Sequence, residues 1–174
     1  MLSSAVLVLA ATIGAGQAEV SGEDYLKPFD AFIGSWCFEG ALPQDNPGVG
    51  SKGDKGTACI SWKWLYGKNA VEWEWTWDFV GKRGGTKGLI MWDAAKQQIV
   101  GHGVSSDGTN IHLTAKFDHG ITFGVTSISP DGKEASATEV FSLLDPNTPN
   151  TLVYQIKNRK GLPDFGPGQF RRLK

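Results

Sequence analysis

Residues 60–77 read ISWKWLYGKNAVEWEWTW, two segments of alternating apolar and polar residues separated by a glycine-containing turn. A period of two places the tryptophans on one face of each strand and the charged side chains on the other. Closing the turn at Gly67-Lys68 sets Trp62 opposite Trp73, so both strands contribute tryptophans to the same face. The segment therefore predicts an antiparallel hairpin with one aromatic surface.

The same alternation continues along most of the chain, with turn signals about every 8 to 12 residues, a spacing typical of antiparallel meanders. Three later hairpins, read from their turn residues, pair Ile99 with Ala115, Leu113 with Val125, and Phe123 with Glu139. Two more are expected to set Trp73 opposite Trp92, through a loop from Val80 to Gly85, and Ile90 opposite Ile99. One apolar face that never changes sides is best buried inside a barrel, so we predict an all-β antiparallel meander closed into a barrel of eight to ten strands.

The N-terminal region has two distinct parts. Residues 1–18 combine an apolar run with small residues before a cleavage point and predict a signal peptide, which implies an exported protein, periplasmic or secreted. Residues 19–174 are expected to form a single barrel domain preceded by a short helix over residues 23–33, interrupted near Pro28. No second apolar run reaches membrane length, so no membrane span is expected in the mature chain.

The charge balance argues against one class of partner. There are 17 Lys and Arg against 18 Asp and Glu, without a basic block. Because nucleic-acid binding needs a concentrated positive surface, no nucleic-acid partner is expected. The oligomeric state is not predicted from the sequence.

A motif at the start of the first predicted strand carries a family resemblance. The segment IGSWCFEG, residues 33–40, contains Gly34 and Trp36 in a Gly-x-Trp arrangement that resembles the opening of calycin barrels, the superfamily of lipocalins and fatty-acid-binding proteins. Residues 62–64, 88–93 and 105–108 are similar to a group of small, often exported bacterial proteins of unknown function with a lipocalin-like barrel. The resemblance implies a calycin-like barrel in which Arg171 or Arg172 covers Trp36 through a cation–π contact.

The two cysteines are predicted to form a disulfide. Pairing the first two strands so that Trp36 faces Ile60 keeps the aromatic residues inside and sets Cys37 directly opposite Cys59. Facing residues of a non-hydrogen-bonded pair lie close enough for a disulfide, and export provides an oxidising compartment. A pair of reduced thiols is the alternative.

The barrel interior is the candidate ligand site. Six tryptophans fall on its predicted inner face and are expected to line it: Trp62, Trp64, Trp73, Trp75, Trp77 and Trp92. Glu139 faces Phe123 in the predicted register, so its carboxyl points to the apolar side, where burial would raise its pKa. The favoured function is binding of a small hydrophobic or aromatic ligand, although the same tryptophans could simply fill the core.

Two other function classes stay open. Glu139 could serve as the acid or base of a calycin-type isomerase or cyclase, although catalytic motifs are otherwise lacking. An exported protein-interaction module could instead use the loop from Pro43 to Asp54 or the proline-rich residues 162–167.

Nitrobindin-like barrels bind haem through a histidine late in the chain, but the three histidines here are His102, His112 and His119. His102 and His112 are expected to face each other on the outer surface without a third ligand, so no metal or other cofactor is predicted.

Overall fold

The structure is a computed structural model, and it describes residues 22–46, 48–147, 150–160 and 164–173. The predicted signal peptide and the tail residues Leu162 and Pro163 lie outside these ranges. The elements, in chain order, are α1 Gly22–Leu26, a 3-10 turn Lys27–Ala31, β1 Gly34–Ala41, β2 Lys55–Leu65, β3 Ala70–Phe79, β4 Lys82–Asp93, β5 Gln98–Ser105, β6 Asn110–Phe117, β7 Ile121–Ile128, β8 Glu134–Leu143, β9 Thr151–Lys157 and β10 Phe165–Arg172.

The ten strands form a closed antiparallel meander. Each strand pairs with the next along the chain, and β1 pairs with β10 to complete the barrel. Closure leaves the sheet without free edges, and it turns the continuous apolar face inward. The prediction of an all-β barrel with a short N-terminal helix is confirmed.

Most of the predicted strand register is also confirmed. The first hairpins pair Trp36 with Ile60 and Trp62 with Trp73. The three later hairpins have the expected pairs, including Phe123 opposite Glu139. Apart from the long 42–54 connection between β1 and β2, these turns are short, so the turn residues restrict the register, and the apolar residues stay on the same face.

Two hairpins have a different register from the prediction. Trp73 lies opposite Gly88 rather than Trp92, because β3 and β4 are joined by a two-residue turn at Val80 and Gly81, both with positive φ (49° and 76°). Ile90 lies opposite Gly101 rather than Ile99. Both shifts are by an even number of residues, so the inward and outward faces remain as predicted.

The N-terminal helical segment closes one end of the barrel. Leu26 and Phe29 are fully buried, and the Phe29 ring meets that of Phe117 edge-on with centroids 5.1 Å apart. This segment, the plug, makes two further contacts: the Tyr25 ring stacks on Trp92 with centroids 3.6 Å apart, and Asp30 Oδ1 accepts a hydrogen bond from Trp64 Nε1 at 2.9 Å. The end formed by the β1–β2 loop, residues 42–54, is at the opposite end of the strands.

The motif tryptophan ties the plug to the last strand. Trp36 is fully buried, and its Nε1 donates to the Phe32 carbonyl at 2.8 Å. Of the two candidate arginines, Arg172 covers the ring, with its guanidinium carbon 4.8 Å from the centroid, and it also donates to the Ile33 carbonyl. This contact joins both ends of the described chain at the β1–β10 seam.

The predicted disulfide is confirmed. Cys37 and Cys59 are register partners in β1 and β2, with Cα atoms 4.1 Å apart, and their sulfurs are bonded. Since Trp36 and Ile60 point inward, the bond lies on the outer face of the barrel. It links β1 to β2 between the plug and the 42–54 loop that connects these two strands.

Candidate functional site

A cavity of about 320 Å³ occupies the barrel between the N-terminal plug and the 42–54 loop. Its wall is mostly aromatic and aliphatic, and residues of nine of the ten strands contribute to it. The lining side chains include Trp62, Trp73, Trp75, Trp77, Phe123, Val125, Glu139, Phe141, Tyr154 and Phe170. Ligand pockets commonly begin at about 300 Å³, so the space suits a compact molecule.

The six predicted tryptophans divide into two groups. Four line the cavity: Trp62, Trp73, Trp75 and Trp77. Trp64 and Trp92 lie at the closed end instead, where they contact Asp30 and Tyr25. They occupy the inner face as predicted, but the N-terminal plug covers them, and the sequence pattern of the barrel strands does not specify where the plug docks.

Two tryptophans of the cavity wall, Trp73 and Trp77, pack directly against glycines of the neighbouring strand. Trp77 rests on its register partner Gly84, where a Cβ atom would lie only 2.3 Å from Trp77 Cζ2. Trp73 rests on Gly88 in the same way, and its Nε1 is a buried donor without a hydrogen-bond partner among the described residues. Flat indoles leave the centre of the barrel open, whereas a side chain at Gly84 would displace the ring.

Glu139 is a carboxyl group set into this apolar wall. It lies on the inner face of β8, and its partly exposed side chain faces the cavity. The Tyr154 hydroxyl, from the neighbouring strand β9, donates a hydrogen bond to it. Burial raises the pKa of Glu139 from 4.5 to about 7, against the opposing effects of that hydrogen bond and of the Arg159 charge. The carboxyl is therefore present in both protonation states near neutral pH.

The same apolar environment also shifts the pKa of Tyr154. Burial, followed by the negative charge of Glu139, raises the pKa of Tyr154 well above its usual value. The hydroxyl consequently stays protonated at physiological pH and remains a hydrogen-bond donor. Glu139 and Tyr154 are diagonal neighbours, because Phe141 is the register partner of Tyr154 and Glu139 lies two residues before it.

The mouth of the cavity is bordered by two loops that contact each other. Arg159 follows β9 and donates from Nη2 to Asn46 Oδ1 in the 42–54 loop at 3.1 Å. Gln44 of the same loop donates to the Asp164 carbonyl. Leu42, Asn46 and Val49 line the mouth from one side, so this loop restricts access to Glu139.

The aromatic side chains beside Glu139 form a cluster of rings. The Trp75 centroid lies 4.7 Å from that of Tyr154 and 5.7 Å from that of Phe170. The Phe141 centroid lies 4.8 Å from that of Tyr154. Ring faces are negatively polarised, so the carboxyl and the rings together make this part of the cavity attractive to positive charge.

The histidine pair is elsewhere. His102 and His112 are register partners on the outer surface, with their Nδ1 atoms 2.8 Å apart. Both side chains are exposed, and across the described ranges no three His, Cys, Asp or Glu side chains converge on a possible metal position. The acidic residues that alternate with the tryptophans of β3 also face outward, where Glu72 pairs with Lys87 at 3.2 Å.

Comparisons with other proteins leave the site to be interpreted from its geometry. The chain matches no protein-family model and has no significant similarity to a curated protein. In the part of the chain that the structure describes, no helix is long and apolar enough to cross a membrane.

The sequence pattern identified Glu139 but not the two residues that lower its pKa, Tyr154 and Arg159. Tyr154 belongs to an alternating strand pattern, yet the loop before β9 is too long for a turn to set its register. Arg159 lies beyond the end of β9, in a segment without periodicity. The alternation of Leu152, Tyr154 and Ile156 did contain a usable signal, because it placed the tyrosine on the inner face.

Proposed function

We propose that this protein binds one compact, ring-bearing apolar ligand inside the barrel, with Glu139 as the polar anchor. The observation that carries the proposal is the cavity itself: about 320 Å³ of open space with an aromatic wall and one partly buried carboxyl. Four tryptophans, Trp62, Trp73, Trp75 and Trp77, are the proposed ring contacts. Trp64 and Trp92 are left out because they pack against the plug.

Energetic considerations support binding over a purely structural interior. A partly buried carboxyl in an apolar wall destabilises a fold unless its interactions compensate, so an interior selected for stability alone would carry an apolar residue there. Open space beside large aromatic side chains also gives up packing contacts. A ligand would supply both the missing packing contacts and a second polar partner for the carboxyl, beside Tyr154.

Calorimetric titration with naphthylmethanol, a neutral compound with two fused rings, tests this proposal. We expect binding to the wild-type protein and loss of binding in Val125→Phe, which places a ring in the cavity. Val104→Phe is the matched control, since Val104 is 51% exposed in β5 and faces away from the cavity. Equal titration curves for the two variants, or no heat with the wild type, would contradict the proposal.

A second candidate function is acid–base catalysis at the same carboxyl. The favouring observation is the Glu139 pKa of about 7, which makes both the acid and the base form available at neutral pH, beside a Tyr154 hydroxyl that can donate a hydrogen bond. An isomerase of this kind would turn over its ligand. Incubating the ligand retained from the native host with fresh protein, and following it by mass spectrometry and NMR, would distinguish a changed product from an unchanged bound molecule.

We also infer that the barrel is a calycin-type module exported with residues 1–18 removed. Support comes from the Gly34 and Trp36 motif, the Arg172 contact on Trp36, and the disulfide, which is a bond typical of oxidising compartments. Intact-mass measurement of protein isolated from the host envelope tests this inference. The expected mass corresponds to a chain without residues 1–18 that resists alkylation until it is reduced.

A further inference from the structure

We propose that the ligand is an organic cation, an aromatic or alicyclic ring system with one protonated amine, held by Glu139 and the rings around it. This inference rests on the proposed ligand-binding function and specifies the chemical class of the ligand.

The charge distribution of the cavity is the first support. Glu139 is the charged side chain among the described residues of the wall, and its strand neighbours on β7, Phe123 and Val125, are apolar. Tyr154 on β9 is a neutral donor, and the remaining charge nearby is that of Arg159 at the mouth. An anionic ligand would bring a second negative charge beside Glu139, whereas a cationic ligand supplies a partner inside the cavity.

Arg159 compensates the charge of Glu139 only in part. Its guanidinium is engaged with Asn46 in the mouth loop. The Arg159 charge lowers the pKa of Glu139, but burial outweighs it, so the protein itself compensates the carboxylate poorly. An ammonium group next to the carboxyl would reverse this balance, because an opposite charge within a few ångströms favours the ionised form.

The aromatic cluster is the second, independent support. The rings of Trp75, Tyr154, Phe141 and Phe170 have neighbouring centroids between 4.7 and 6.3 Å apart, and the cluster is next to the carboxyl. Aromatic rings bind ammonium groups through their negative faces, especially in desolvated sites. A neutral or anionic headgroup gains nothing comparable from these ring faces.

The sign of the pH dependence follows from the carboxyl. A cation binds the ionised form of Glu139, and with a pKa of about 7 that form rises from about one tenth of molecules at pH 6 to about nine tenths at pH 8. The affinity for a permanently charged ligand should therefore rise about tenfold over this interval. An anion would show the opposite sign.

Three probes with the same rings measure this effect by calorimetric titration: naphthylmethylamine, naphthylmethanol and naphthoate, each at pH 6 and pH 8. We expect the amine to bind at least tenfold more tightly than the alcohol at pH 8, with most of this preference lost at pH 6, and naphthoate to bind most weakly at pH 8. Glu139→Gln should reduce the preference for the amine over the alcohol to within about twofold, because glutamine has no negative charge. Glu134→Gln, an exposed substitution on the same strand, is the matched control and should behave as wild type.

The outcomes separate this inference from the proposed function. Binding of the alcohol without a preference for the amine, or an unchanged preference in Glu139→Gln, overturns the cation proposal and leaves ligand binding intact. Tighter binding of naphthoate than of the amine at pH 8 also overturns it. Failure of all three probes to bind contradicts the proposed function itself.

Discussion

Replacing Glu139 with Gln should stabilise the empty protein at alkaline pH and remove part of its pH dependence. The folded protein holds the Glu139 proton more tightly than the unfolded chain, because the pKa rises from 4.5 to about 7. Stability from this group is therefore fully present below pH 4.5 and is lost as the pH rises through about 7. Glutamine keeps the shape and can accept the Tyr154 hydrogen bond, but it cannot become charged.

The size of the effect follows from the two pKa values. At 1.36 kcal/mol per pH unit, the interval from 4.5 to about 7 corresponds to about 3 kcal/mol of unfolding free energy. Between pH 5 and pH 8, where measurement is practical, the expected part is about 2 to 3 kcal/mol. This corresponds to a difference of about 4 to 12 °C in melting temperature for a domain of this size.

Urea unfolding followed by tryptophan fluorescence, at pH 5 and pH 8 with the disulfide intact, measures this difference. Wild type should lose about 2 to 3 kcal/mol more than Glu139→Gln between the two pH values, because all other titrating groups are common to both proteins. Glu134→Gln should follow wild type. If wild type and Glu139→Gln lose equal stability, Glu139 does not titrate as the buried geometry requires, and the argument for a charge-selective cavity fails.

Three further changes test other parts of the structure. Replacing Cys37 and Cys59 with Ala should lower the unfolding free energy by about 3 kcal/mol, as expected from releasing a closed segment of 22 residues, measured by urea unfolding. Arg172→Ala should cost about 1 to 3 kcal/mol by removing the cation–π contact and the hydrogen bond at the barrel seam, whereas exposed Arg171→Ala should cost less than about 0.5. Gly84→Ala should cost about 1 to 3 kcal/mol by displacing the indole that rests on it, and it should weaken naphthylmethanol binding in calorimetry. A variant as stable as wild type in any of these cases would contradict the corresponding contact.

The local features of the barrel could be predicted because they depend on neighbours in the chain. Alternation in residues 60–77 determines which side chains share a face, and short turns determine which strand residues meet. The disulfide followed from the same register, since Cys37 and Cys59 are partners once Trp36 faces Ile60. The inward position of Glu139 followed in the same way.

The two wrong registers show where this local reasoning stops. Between β3 and β4, several glycines allow more than one turn, and Val80 and Gly81 form the tight one by adopting positive φ. The hydrophobic pattern could not choose, because an even shift preserves both faces. The position of Trp92 relative to Trp73 therefore depended on packing rather than on pattern.

By itself, then, the sequence determined the strands, their two faces, the cysteine pairing and the register of the predicted hairpins other than β3–β4 and β4–β5, because these follow from period and turn chemistry. Only the tertiary structure decided how the barrel closes, which tryptophans the plug covers, and that Tyr154 and Arg159 come together with Glu139. These features join residues separated by long loops, and no local rule fixes the geometry of such contacts. The cavity was likewise not predictable from the sequence, because its volume depends on how side chains from nine strands pack together.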